Sequence, residues 1–415
     1  MKIILGVTGS IAAYKAFDLM RLLLKNKHQI KVILTKGALK FVRAELFSYL
    51  GAENVYTAED DFHHSGVLHI ELSQWCDRLV IAPLSANTCA NLSAGKAHDL
   101  LSTLFLAIPK HKPILLFPAM NPQMLEHPFT QENILALKKC RTLKNLFIAP
   151  TAFGELACRD TGFGKLLSVE EIFELVETIP ENIDTLQTPK GNITITTGAT
   201  IAPIDPVRYL TNSSSGLTGY FLAKKFLAAG YQVKLLAGES STPAIKDLIH
   251  HPHLNLVEIK TADDMLKAAL KEIDACDGLI ASAAVNDFKF NACDEKIKKD
   301  QLSDNLSLIP APDVLQTIIE LKKSRVLKLI IVGFAAETDL SPSVLEKKMQ
   351  KKPVDLLVGT RVNNGTLKQP LEGFHQSFAQ YKLIDAQNNN CFEGQMEKDQ
   401  LADYLLQWFQ QKTEV

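Results

Sequence analysis

Several features are missing from this chain, and each absence removes a class of function. Neither charge is in surplus: 45 Lys and Arg stand against 46 Asp and Glu, spread along 415 residues. The sequence therefore offers no electrostatic footprint for nucleic acid or an anionic membrane. No apolar stretch approaches a bilayer span, and the Ile3-Ile4-Leu5 run behind Met1-Lys2 is too short for a signal peptide. The expectation is a cytoplasmic protein whose partners are small molecules, with neither nucleic acid nor membrane among them. Seven scattered cysteines include no CxxC pair, which argues against a disulfide framework or a zinc ribbon. The GxGxxG spacing of dinucleotide folds and the GxxxxGKS/T loop of P-loop NTPases are also absent.

What is present is a repeated alternation of apolar runs and amphipathic segments, in a chain long enough for two or three cores. Lys2 to Val7 predicts a buried strand, and the following helix places Ala12, Ala16, Leu19 and Leu23 on one face. Further strands are predicted at 29–34, 78–82, 113–117 and 146–148, with a last helix near 169–178. Such alternation implies a parallel sheet covered on both faces. The polar, proline-bounded stretch from Pro180 to Pro189 reads as a linker. A second α/β series follows, with strands at 192–196, 233–236, 254–259, 278–281, 327–332 and 376–384. Helices are expected from about Ser215 and over 398–411. The fold class is thus α/β, two doubly wound, Rossmann-like domains, with boundaries at 1–189 and 190–415.

In the first half, Gly6-Val7-Thr8-Gly9-Ser10 sits where an open α/β sheet binds ligands, past the carboxyl end of the first strand. Gly9 and Ser10 at a helix start suit one phosphate, hence FMN better than NAD; a tight turn with a serine cap is the plain alternative. Ala82-Pro83-Leu84-Ser85-Ala86-Asn87-Thr88 follows another strand and adds small polar groups at the same sheet edge. His69-Ile70-Glu71-Leu72, Pro118-Ala119-Met120-Asn121-Pro122 and Gly154-Glu155-Leu156-Ala157-Cys158-Arg159-Asp160-Thr161-Gly162 complete the set. Together these resemble the homo-oligomeric flavin-containing cysteine decarboxylases. The resemblance implies an FMN site that includes Gly9, Ser10, Thr35, Ser85 and Asn87. It also implies His69 in substrate oxidation, Asn121 on the substrate carboxylate and Cys158 as the acid. The chemistry explains the need for a flavin. Decarboxylating an ordinary cysteine leaves a carbanion with no electron sink, whereas oxidation at the carbon bearing the thiol gives a thioaldehyde that can take up the electrons. A thiol titrating near ~8.5 is largely protonated at neutral pH, as a donor must be. Taken singly, Cys158 reads as buried packing, His69 as a surface residue, and His63 with His64 as a weak metal signal. Leu125 and Arg159 depart from the family pattern, in the substrate pocket rather than the reaction.

The second half carries Asp205-Pro206-Val207-Arg208-Tyr209-Leu210-Thr211-Asn212-Ser213-Ser214-Ser215-Gly216. Then come Ala283-Ala284-Val285-Asn286-Asp287-Phe288, Glu295-Lys296-Ile297-Lys298-Lys299 and Val332-Gly333-Phe334-Ala335-Ala336-Glu337-Thr338. In that order they resemble the phosphopantothenate-cysteine ligases. With the first half they resemble the bacterial bifunctional decarboxylase/ligase family of coenzyme A biosynthesis. The resemblance implies that CTP activates the carboxylate of 4′-phosphopantothenate as an acyl-cytidylate, which cysteine then attacks. It assigns Lys296 and Asn212 to catalysis and Arg208 to the acidic substrate. It gives Ala281, Ser282, Ala283, Asp287, Lys296, Ala311, Pro312, Asp313, Val314, Phe334, Lys348 and Lys352 to the nucleotide, with Mg2+ accompanying CTP. Lys348 and Lys352 are spaced i,i+4 on a predicted helix, so both face one way. Metal ligands are not readable from the sequence. By itself a KIKK run is a solvated patch and Asn-Ser-Ser-Ser a loop, and Leu217 replaces a lysine common in the family. The assembly implied is a dodecamer of decarboxylase trimers and ligase dimers. Two other readings stay open at this point: a flavin decarboxylase of another cysteine-terminated substrate, and a non-catalytic regulatory binding subunit.

Overall fold

A computed structural model describes residues 1–57, 60, 67–140, 144–155, 161–271, 273–298, 307–366, 369–374, 376–387 and 389–413. His63, His64, Cys158, Arg159 and Lys299 lie outside the described residues. The chain divides into two compact units, Met1–Thr188 and Pro189–Val415.

In the first unit, β1 (Lys2–Val7), β2 (Gln29–Leu34), β3 (Asn54–Thr57), β4 (Arg78–Leu84), β5 (Ile114–Pro118) and β6 (Leu146–Ile148) form one sheet, ordered β3-β2-β1-β4-β5-β6. Every pairing is parallel. Strands β1, β4 and β5 are buried almost end to end, as expected of strands covered on both faces. Two apolar clusters supply that cover. One packs Leu19, Met20 and Leu23 over β1 and β2, the other Leu101, Leu104 and Phe105 over β4 and β5. A hairpin, β7 (Ala152–Glu155) with β8 (Thr161–Lys165), follows the sheet. The helix Val169–Thr178 opens with a reciprocal capping box between Ser168 and Glu171.

The stretch read as a linker is not one throughout. It forms a 3-10 turn at Ile183–Leu186, and Ile183 is buried in the first unit's core with Leu186 packed against it. Two apolar residues at the right spacing outweigh the polar composition around them, because burying each side chain is worth ~1.5–3 kcal/mol.

In the second unit, the strands are β9 (Asn192–Thr197), β10 (Ile201–Pro203), β11 (Tyr209–Thr211), β12 (Gln232–Gly238), β13 (Leu254–Ile259), β14 (Gly278–Ala281), β15 (Phe288–Lys289), β16 (Ile309–Pro310), β17 (Ile330–Glu337), β18 (Leu356–Arg361), β19 (Asn363–Thr366), β20 (Gln369–Glu372), β21 (Phe378–Asp385) and β22 (Asn390–Glu397). The main sheet runs β13-β12-β9-β14-β17-β18-β21-β22. Its first six strands are parallel and follow the same winding as the first unit, while β21 and β22 add an antiparallel edge. Strand β17 starts at Ile330, three residues later than the sequence suggested. The helix Val314–Arg325 ends on Val326 with φ 54°, and Leu327 still bonds back to the carbonyl of Lys322. Strand β17 then carries Gly333 and Phe334 inside the sheet.

Candidate functional site

In both units the strand order reverses beside the first strand, between β1 and β4 and between β9 and β14. Loops leaving neighbouring strand ends part at such a point and leave a crevice.

In the first unit Thr8 is fully buried. Its hydroxyl donates to the Pro83 carbonyl at 2.7 Å and accepts from the Ser85 N–H at 2.8 Å, stitching the β1 loop to the β4 loop. The Ala82-Pro83 peptide is cis. Ser10 caps the turn Ile11–Tyr14 and donates to the Ala119 carbonyl at 3.2 Å, which draws in the loop after β5. Thr35 accepts from the Ala38 N–H. Gly9 packs on Gly37, where an added Cβ would lie 3.0 Å from the Gly37 Cα, so a side chain there would press the β1 and β2 loops apart. Ser85 caps the helix Ala86–Ser93, and Asn87 is exposed in its first turn.

The structure thus brings Gly9, Ser10, Thr35 and Ser85 to one sheet edge, with Asn87 beside them. The group fits the phosphate of a mononucleotide: serine and threonine hydroxyls and two helical starts gather at the ends of β1, β2 and β4, where loop N–H groups can meet an anion. Asn121 caps the helix Pro122–Glu126 through the Gln123 N–H at 2.9 Å. Hairpin strand β8 lies against the same loop, Met120 N–H bonding to the Gly164 carbonyl at 3.0 Å. Gly164 has φ +121°, and a side chain there would strike the Met120 carbonyl. The hairpin that carries Cys158 is therefore anchored on the Asn121 loop, although Cys158 itself lies outside the described residues. His69 is half-buried in the first turn of the helix Leu68–Trp75. The buried thiols of Cys76 and Cys89 are pushed up to about 11 by desolvation, which leaves them as packing groups.

The second unit encloses a cavity of about 780 Å³. Its walls are Thr211 to Thr218, Ala281 to Asp287, Ala311 to Leu315, Phe334 to Ala336, Lys348, Lys352 and Lys398. Thr197, at the end of β9, donates to the Gly216 carbonyl at 2.9 Å and holds the start of the helix Leu217–Ala228. Leu217 packs into the apolar cluster behind it. Ser282 donates to the Thr196 carbonyl at 2.6 Å, and Asn212 donates to the carbonyls of Ala284 and Val285 at 3.1 and 3.3 Å. Asp313 caps the helix Val314–Arg325 and pairs with Lys352 at 2.6 Å. Burial pushes its carboxyl up, but the hydrogen bonds from Lys352 and Gln316 and the charges of Lys352 and Lys351 outweigh that and hold it below the usual carboxylate range. Lys348 pairs with Glu337. The helix Pro342–Lys351 ends before Lys352, which caps it instead of continuing it; both lysines nonetheless face the cavity.

Of the residues expected on the nucleotide, Ala281, Ser282, Ala283, Asp287, Ala311, Pro312, Asp313, Val314, Phe334, Lys348 and Lys352 line this one cavity, and Asn212 joins them. Lys296 and Arg208 are not in its lining. Arg208 is committed to buried Asp205 at 2.8 Å and to the Ile297 carbonyl at 3.2 Å. Asp205 also accepts the N–H groups of Val207, Arg208 and Ile297. Burial raises its carboxyl, yet these bonds and the Arg208 charge bring it below the usual range. Lys296 stands exposed on the segment so clasped. Two contributors escaped the sequence reading. Buried Asn286 ties the β14 loop to hairpin β10–β11 through the carbonyls of Thr200 and Leu210. Lys398 hides in Glu397-Lys398-Asp399, which reads as a solvated patch. Its stripe partners Leu401, Ala402 and Leu405 at i+3, i+4 and i+7 were the available signal.

Among the described residues no group of three or more His, Cys, Asp or Glu side chains is arranged to hold a metal ion, and no helix is long and apolar enough to cross a membrane.

Comparison with known proteins follows the same division. Residues 1–180 match the Flavoprotein family, and residues 189–412 match the DNA/pantothenate metabolism flavoprotein C-terminal domain. The chain is 35% identical over 378 residues to the coenzyme A biosynthesis bifunctional protein CoaBC of Haemophilus influenzae, covering 91% of this chain and 90% of that protein. It is 36% identical over 364 residues to the protein of the same name from Bacillus subtilis, covering 87% and 86%. Among solved structures, the FMN binding protein AtHal3 is 32% identical with a TM-score of 0.37, covering 42% of this chain and 94% of that one. With both halves matched in order and nine-tenths of the length covered, the chain belongs to the family of bifunctional coenzyme A biosynthesis proteins, CoaBC.

Proposed function

We propose that this protein joins cysteine to 4′-phosphopantothenate at the expense of CTP, and then decarboxylates the product to 4′-phosphopantetheine with FMN. The observation that carries the first step is the 780 Å³ cavity of the second unit, which gathers the Asn212 loop, the Ala311–Val314 turn and the Lys348/Lys352 pair around one space. A nucleoside triphosphate needs that combination: backbone N–H groups at a helix start, a wall of small residues and cations on the phosphates. Asn212, already fixed through Ala284 and Val285, orients the activated carboxylate. Lys296 neutralises charge that develops as pyrophosphate leaves, and Arg208 acts through the Ile297 segment as its positioning residue. Mg2+ enters bound to the triphosphate as part of the substrate.

In the first unit the Thr8, Ser10, Thr35 and Ser85 loops hold the FMN phosphate. Bound there, the flavin supplies reversible hydride abstraction, which gives the carboxylate an electron sink. Asn121 holds the substrate carboxylate, His69 assists oxidation, and Cys158 returns a proton to the decarboxylated intermediate. The flavoprotein family match over residues 1–180 supports this assignment. Decarboxylase trimers joined through ligase dimers into a dodecamer are the assembly we propose, with light scattering as its check.

The test is to incubate the protein with 4′-phosphopantothenate, cysteine, CTP and Mg2+ and to identify products by mass spectrometry. 4′-Phosphopantetheine with CMP and pyrophosphate is the expected set. Accumulation of the cysteine adduct alone would remove the decarboxylase half, and failure to consume CTP would remove the ligase half.

A further inference from the structure

Lys398 is the first residue of the helix Lys398–Thr413. It is only 5% exposed, yet it lines the cavity of the second unit. Its Nζ donates to the Gly373 carbonyl at 2.9 Å, a neutral acceptor, and no carboxylate among the described residues compensates the positive charge. The neighbouring carboxylates are engaged elsewhere. Asp399 pairs with Lys225 at 3.0 Å, Asp313 with Lys352 and Glu337 with Lys348. Asp287 lines the cavity but is itself exposed, and Glu397, at the end of β22, is also exposed. A buried ammonium without a counter-charge is costly, and desolvation alone lowers its pKa to about 8. The other two lysines of the wall carry their own carboxylates; among the described residues this one has none.

We infer that Lys398 is an anion-binding residue of the ligase site, whose ammonium pairs with a phosphate or carboxylate oxygen of a substrate seated in the cavity. The inference rests on reading that cavity as the CTP and 4′-phosphopantothenate site. Binding supplies the missing counter-charge, so the cost of burying the lysine is offset only when substrate is present. The Gly373 carbonyl holds the side chain in place and spares it the entropy of ordering at that moment.

Equilibrium binding to the full-length protein tests this, with CTP and Mg2+ in one titration and 4′-phosphopantothenate in another. Removing the charge in Lys398→Met or Lys398→Gln should raise the dissociation constant about tenfold or more, as expected for a lost charge-assisted hydrogen bond. Lys398→Arg should recover most of it. The titration that weakens names the source of the anion. Wild-type affinity for that ligand should fall between about pH 7 and 9 while the Arg variant stays flat, a difference that a structural role would not produce. Equal affinities of wild type, Met and Gln variants for both ligands, with native circular dichroism, would overturn the inference and leave the ligase reading standing. Wild-type protein that binds neither ligand would overturn both.

Discussion

The two units wind their first six strands in the same order, and each places a threonine at the end of its first strand, yet these threonines do different work. Thr8 reaches across the crevice, bonding to Pro83 and Ser85 on the loop of the fourth strand. Thr197 reaches along the chain and secures Gly216, at the head of the helix that follows. The first arrangement closes loops over a compact floor lined with hydroxyls. The second keeps the crevice open, and the loops around it become the walls of a cavity that three lysines border. One monoester phosphate can be held by neutral donors at helix starts, whereas a triphosphate about to lose pyrophosphate needs mobile positive charge. The strand order sets where a ligand sits; the loop chemistry sets how much charge it brings.

If that division is right, damage to one half should leave the other running. The largest effect expected is Cys158→Ser, which should lower decarboxylation by ~10²–10⁴-fold, the range for a lost general acid, while the cysteine adduct still forms at the wild-type rate. Adduct turning over normally to 4′-phosphopantetheine in that variant would dissolve the assignment. Next comes Asn212→Ala, expected to cut CTP-dependent adduct formation by ~10²-fold with decarboxylation of supplied adduct unchanged; coupled assays of each step measure both. Lys352→Met should raise the KM for CTP by ~5–10-fold and leave kcat within about twofold, because it removes ground-state and transition-state contact alike. Thr8→Val strands the Ser85 N–H and the Pro83 carbonyl, and should cost the first unit ~1–3 kcal/mol with weaker flavin retention, read by melting and by flavin absorbance after gel filtration. Smallest is the acid response of the Asp205 clasp. Its folded pKa is depressed, so its contribution is complete above the unfolded value near ~3.9 and is lost as pH falls through the folded one. Asp205→Asn should therefore flatten the melting temperature as pH falls below about 4.

How far the sequence spoke depended on what each segment had to bury. Strands β1, β4 and β5 are continuous apolar runs because helices cover both faces, and those runs are legible. Strand β3, Asn-Val-Tyr-Thr at a sheet edge, is too short and too mixed to stand out. Hairpin β7–β8 is spelled largely in glycine and charge, and its place is fixed by contact with the Met120 loop rather than by its own pattern. The site showed the same split. Ser10, Ser85 and Asn121 sit where loops meet helices, so their types announce their positions. Arg208 was placed on the acidic substrate by family resemblance alone, and nothing in its pattern announced the pairing with an aspartate three residues earlier. Lys398 stayed invisible because charge outweighed periodicity in the reading.

The turn at Ile183–Leu186 has a practical meaning for anyone who separates the halves. A fragment ended at Pro180 and one ended at Thr188 differ by eight residues of mostly polar chain. The shorter fragment would lack Ile183 and leave its apolar seat open to solvent, inviting self-association in concentrated solution. The longer one carries its own stopper. Clean excision therefore favours the later cut, and a gene split into two at that point would yield a first product already sealed at its carboxyl end.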